Sequence, residues 1–239
     1  MDTPTVPQPE IQAVKKKHKF RWLYWLVGII VVILIAISAT GVYAVPGVSA
    51  IFGMNKPKDL GIKVTEEAYN TIKQKIPLQI TGEKADYSAS PATIFTGSAP
   101  VDTQNTSEEV TSWLAKMQGP DPIISQVQVK MIEGGVEFSG QINKYLKSPV
   151  YAKVMINRTS ENSVSIDITS AKLGIFNVPQ KYVQQFEDWA LKQVNGRMAT
   201  IPGFSLQQLE YHDGYDIWKG TVPAQVKPAK GGWTDLVLE

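Results

Sequence analysis

The chain runs from Trp22 to Asn55 without a single charged residue. Its core, from Trp22 to Val45, is about 24 residues, which at 1.5 Å per residue makes roughly 36 Å of helix. That length crosses a ~30 Å hydrocarbon layer with some tilt. Trp22, Tyr24 and Trp25 stand at one edge of the run and Tyr43 at the other, where amphipathic rings prefer the interface. Lys15, Lys16, Lys17, Lys19 and Arg21 lie just before it. By the positive-inside rule residues 1–21 are expected to stay cytoplasmic, while everything after the span is exported from the plasma membrane. A cleaved signal peptide is the rival reading, with Val42-Tyr43-Ala44 as the small-residue site. The apolar run is much longer than the 7–15 residues of a signal-peptide core, which favours an uncleaved, single-pass anchor over residues 22–45.

Composition narrows what the rest can do. The sequence has no cysteine and two histidines, so thiolate zinc sites, iron–sulfur clusters, disulfide frameworks and multi-histidine metal centres are excluded. The net charge of +2 is unevenly placed. Residues 1–55 hold five Lys/Arg against two Asp/Glu, leaving nineteen against twenty in the remainder. A body so balanced lacks the basic face that phosphate backbones need, so no nucleic-acid partner is expected.

After a linker over residues 46–64, Thr65-Glu66-Glu67 reads as a helix start. Tyr69, Ile72 and Ile76 form its apolar face and Pro77 ends it. Residues 82–105, rich in Ser, Ala, Thr, Pro and Gly, read as irregular; the 65–105 region is therefore a helix plus an irregular segment. Thr106 and Glu109 form a capping box before Val110, Trp113, Leu114 and Met117 at helical spacing, with Gly119-Pro120 as the stop.

Past Pro122 the period falls to two. Ile123, Val127, Val129 and Met131, then Val136, Phe138 and Ile142, then Val150, Ala152, Val154 and Ile156, then Val164, Ile166 and Ile168 alternate with polar residues. Turns fall at 133–135, 147–149 and 160–162. This is a four-strand antiparallel meander with one oily and one polar face. Pro179 opens a further helix with Gly196 just past its expected end. A hairpin at 206–211 and 215–222 turns on His212-Asp213-Gly214, and residues 224–239 read as a loose tail. The fold class is α+β, an exported domain in which the long amphipathic helix covers the meander.

Thr106-Ser-Glu-Glu-Val-Thr-Ser-Trp-Leu, Val136-Glu-Phe-Ser-Gly140, Lys172-Leu-Gly-Ile-Phe-Asn-Val-Pro179 and the 180–195 helix together resemble the TULIP-like (tubular lipid-binding) half-domain of membrane-anchored bacterial envelope proteins, the LmeA-like and YpmS-like groups. The resemblance covers residues 106–223 and rests on element order. It implies a curved sheet wrapped on a helix with an apolar groove for a lipid. The candidate groove residues are Phe138, Ile142, Val154, Ile156, Ile166, Phe186 and Trp189. The same side chains also suit a close-packed sheet–helix core.

No catalytic constellation stands out, and no enzyme, cofactor or metal is expected. His212 and Asp213 are adjacent in a turn and point apart. Gly203-Phe-Ser205 lacks the closing glycine of a nucleophile elbow, and Gly134-Gly135 lacks the lysine and hydroxyl of a phosphate loop. Two functions stay open. One is a lipid- or amphiphile-binding protein at the outer face of the membrane. The other is a solid module that docks an envelope protein partner.

Overall fold

The computed structural model describes residues 56–81, 94–118, 122–143 and 148–227. The basic tail and the 22–45 run lie outside them, as do Lys144–Lys147 and the last dozen residues. Among the described residues no helix is long and apolar enough to cross a membrane. The described residues are mixed α+β, with three helices and mostly antiparallel sheets.

Helix α1 is Glu66–Lys75, and the Thr65 side chain accepts a hydrogen bond from the Ala68 N–H as its cap. Its buried face is Ala68, Tyr69 and Ile72. Helix α2 is Ser107–Lys116, and both halves of the Thr106/Glu109 capping box are formed. Its buried face differs from the apolar stripe read from spacing. Ser107, Glu109, Thr111 and Ser112 are buried, whereas Val110, Trp113 and Leu114 are only half-buried.

The meander forms as expected: β4 (Ile124–Ile132), β5 (Gly135–Ile142), β6 (Pro149–Ser160) and β7 (Ser163–Leu173), extended by the short β8 (Phe176–Asn177). The strands lie in sequence order in one five-stranded sheet. Gln126 adopts φ 51° at a bulge between Ser125 and Gln128, which shifts the face by one residue, so that Ile124 rather than Ile123 shares the face of Val129 and Met131. Helix α3 spans Gln180–Thr200 and runs straight through Gly196, rather than ending before it. A side chain at Gly196 would meet nothing within 4 Å, so the glycine costs helix propensity only.

The stretch expected to be irregular contains β2 (Ile94–Thr96) and an eight-residue strand, β3 (Ala99–Thr106). Strand β3 pairs along its whole length with β10 (Tyr215–Val222), which also pairs with β9 (Ser205–His212). The inward residues of β3 are Val101, Thr103 and Asn105. Two of the three are polar, so the hydropathy period was invisible. The tail expected to be loose from residue 224 instead supplies β11 (Gln225–Lys227). It lies between β2 and β1 (Gln79–Ile80), parallel to β1.

The β9–β10 hairpin is laid over the turn end of the meander. Gly134 N–H donates to Tyr211 O at 3.0 Å and Leu206 N–H to Glu161 O at 2.7 Å. Arg158 Nε donates to Leu206 O at 2.6 Å. The closed core gathers where this hairpin, β4 and the first two helices meet. Val127, Met131 and Ile72 are almost wholly buried there, and Leu206 is buried where β9 meets the β6–β7 turn.

Candidate functional site

Strand register places the groove candidates of the sheet on one face. Val136 pairs with Val154 and Phe138 with Ala152, and on the far side Val154 pairs with Ile168 and Ile156 with Ile166. Met131 and Val129 extend the same face through their pairing with Val136 and Phe138. Ile142 shares the face at the other end of β5, opposite Ile124.

Burial along this face is uneven. Its flanks are closed, with Met131 at 1% and Val129 at 7% exposure on β4, and Val164 at 7% and Ile168 at 6% on β7. Its centre is not. Phe138, Ile142, Val154, Ile156 and Ile166 are all half-buried, as is every residue of β6 from Val150 to Ile156. A fully buried core side chain would gain about 1.5–3 kcal/mol over an exposed one, and these large residues realise only part of that gain.

The long helix explains the opening. Helix α3 packs along β7, the last long strand of the sheet. Asn195 holds β7 as a neighbouring strand would, accepting from Val164 N–H at 2.9 Å and donating to Val164 O at 2.9 Å. Glu187 accepts from the Ile168 N–H. Val183 is the buried anchor of the helix. Phe186 is 49% exposed and touches Trp189, ring centroids 5.4 Å apart, while Tyr182 stands 59% exposed one turn earlier. The two aromatic candidates therefore meet each other, and Val183 takes the role of closing the helix on the sheet.

Glu109 of the capping box, with Lys75, Thr103, Asn105 and Asp216, which the sequence did not single out, forms a polar cluster between α1, α2 and β3–β10. Lys75 Nζ donates to both carboxylate oxygens of Glu109 at 2.7 Å and to Gln104 O at 2.7 Å. Asp216 Oδ1 accepts from Asn105 Nδ2 at 2.8 Å, and Thr103 Oγ1 donates to Asn105 Oδ1 at 3.1 Å. Burial pushes the Asp216 carboxyl above the ordinary aspartate range, against the lowering effect of its Asn105 bonds. Burial, then the Asp216 charge, raises the Tyr211 phenol in turn. The hydrogen-bonding capacity of these groups is spent on one another, so the cluster fastens helices to sheet. Only the run of polar residues over 102–106, at both alternations, could have signalled it, and that pattern also fits a loop.

His212 and Asp213 both lie against Glu133. The imidazole lies 3.4 Å from Glu133 and 3.5 Å from Glu210, while Asp213 accepts from the Glu133 N–H at 3.3 Å. Among the described residues no cluster of three or more His, Asp or Glu has metal-binding geometry. Trp22, Trp25, Tyr43 and the basic residues 15–21 lie outside the described residues.

By architecture, the body is a mixed α+β domain whose largest sheet presents an apolar face open at its centre. Comparison with known proteins returned no family model, no curated relative and no solved structure that matches the chain.

Proposed function

We propose that this chain is a plasma-membrane-anchored, extracytoplasmic protein that holds a lipid or other amphiphile on the apolar face of the β4–β8 sheet, beside α3, without altering it. The observation that carries the reading is the contrast along that face: closed at Val129 and Met131 on β4 and at Val164 and Ile168 on β7, half-open across Phe138, Val154 and Ile156 and at Ile166 between the two buried β7 residues. A groove of this kind has something to gain. Each methylene taken from water contributes ~0.8 kcal/mol, so about 15 of them give roughly 12 kcal/mol gross. The exposed Tyr182, Phe186 and Val194 favour a second reading, in which α3 docks a protein of the cell envelope.

The test is native mass spectrometry of residues 56–239 purified without detergent, with lipid extraction of the same sample. A stoichiometric lipid, lost in Ile156→Asp while the fold persists by circular dichroism, is the expected result. An apo mass that gains nothing from vesicles would sink the lipid reading. Unfolding by both Phe138→Asp and Ile156→Asp would mark the face as solid core.

A further inference from the structure

On the opposite, polar face of the same sheet, the segment entering the body passes over a cleft of about 430 Å³. Lys56 and Lys58 come from that segment, Tyr151 from β6, Ser170 and Lys172 from β7, and Ile175 from the turn after it. Lys58 is engaged: its ammonium lies 3.6 Å from Glu137 and 4.0 Å above the Tyr151 ring. Tyr151 donates to Glu137 at 2.8 Å, and burial together with that carboxylate pushes the phenol up to about 12, so it stays a donor at neutral pH. Asp59, the nearest acid in sequence, accepts from the Gly61 N–H at 2.8 Å. Lys56 and Lys172 have no carboxylate partner among the described residues, and they line the cleft from opposite elements.

Two further observations say what meets this cleft. Ile175, in the turn at its rim, is 52% exposed, whereas Phe176 pairs with Leu173 and so belongs to the other, apolar face. An apolar turn beside unpaired ammoniums suits the boundary between phosphate headgroups and acyl chains. The second observation is reach. Eleven residues carry the chain from Val45 to Lys56, at most about 40 Å when fully extended. Given the anchored reading above, on which this inference rests, the cleft is tethered close to the bilayer surface.

We propose that Lys56, Lys172 and the Gly174-Ile175 turn dock the body onto the anionic phospholipid surface of the membrane that anchors it, the ammoniums taking lipid phosphate and Ile175 entering the interface. The opposite, apolar face is thereby held in a fixed orientation to the bilayer.

The chain has no cysteine, so Ile175→Cys carries one environment-sensitive dye in the full chain, reconstituted in vesicles. In vesicles containing phosphatidylglycerol the dye should shift to the blue and lose several-fold of its access to an aqueous quencher; in pure phosphatidylcholine it should not. Salt at ~1 M, where the Debye length falls to about 3 Å, should reverse the shift. Lys56→Gln with Lys172→Gln should abolish it, and Lys56→Arg with Lys172→Arg should keep it, which separates charge from misfolding. No response to lipid charge, in a chain that vesicles retain through alkaline carbonate, overturns the docking. A response to inorganic phosphate alone, with none to vesicles, overturns the membrane as occupant. Release by carbonate overturns the anchoring itself, and the docking with it.

Discussion

The five-stranded sheet has a long edge at each side, β4 and β7, and each is closed by a helix that lends it side chains in place of a further strand. At β4 the device is Thr111, whose Oγ1 accepts from Val129 N–H at 2.9 Å and donates to Val129 O at 3.1 Å, while Ser107 Oγ accepts from Met131 N–H at 2.9 Å. At β7 it is Asn195, with the same two bonds to Val164. The surroundings differ. Thr111 and Ser112 are fully buried, the helix is capped by a box with Glu108 and Glu109 in its first turn, and Thr65 N–H donates to Ser112 Oγ to hold α1 against it. Helix α3 starts at Pro179 with no side-chain cap and no acid in its first turn, and buries only Val183. Equal hydrogen bonding thus yields unequal attachment, because a hydrogen bond contributes most where water cannot replace it.

The largest effect should therefore fall on the β4 edge. Thr111→Val keeps the shape but leaves two buried backbone groups of Val129 unpaired, at about 1–3 kcal/mol each, so urea unfolding should show a loss of ~2–6 kcal/mol. Asn195→Leu, at a half-exposed site where water can step in, should cost about 1 kcal/mol or less. Equal losses would break the comparison. Next, Val183→Ala should cost roughly 1–2 kcal/mol. Hydrogen exchange should then show protection falling across α3 and the β7 edge, with β4 unchanged.

The smallest effect sharpens the β4 side, where the polar cluster anchors α1 and α2. Asp216 has its folded pKa raised above the ordinary aspartate value by burial. The folded state therefore binds that proton more tightly than the unfolded chain. The group's stabilisation is present at low pH and is lost as pH rises from the ordinary aspartate value through the raised one. Asp216→Asn should then melt slightly higher than the natural chain at pH 7, and the gap should close near pH 4. A gap that widens on acidification would contradict the direction.

Where local rules and tertiary coverage agreed, the sequence was legible. Thr65 and Thr106 marked helix starts because a cap is a contact within four residues, and the meander followed from a period that any half-buried sheet imposes. The shared face of Phe138, Val154, Ile156 and Ile166 was readable for the same reason. How far that face stays open was not, since it depends on α3 lying along β7, and an amphipathic pattern fixes a helix face without fixing its address. Strand β3 escaped because Thr103 and Asn105 point inward to satisfy Asp216 and one another, a need created by a residue more than a hundred positions away. The Lys56–Lys172 cleft was hidden by the same distance.

The pairing pattern also sets an order of assembly. Each strand of the β4–β8 meander finds its partner a few residues downstream, whereas β3 must wait for β10 and β1 for β11. Contacts that close long loops form slowly. A chain that emerges amino-terminus first therefore exposes β3, with its polar inward residues, until Tyr215–Val222 arrives. The arrival of Gln225–Lys227 between β1 and β2 then ties Gln79–Ile80 to a strand that follows it by nearly 150 positions, so completing this sheet requires Gln225–Lys227.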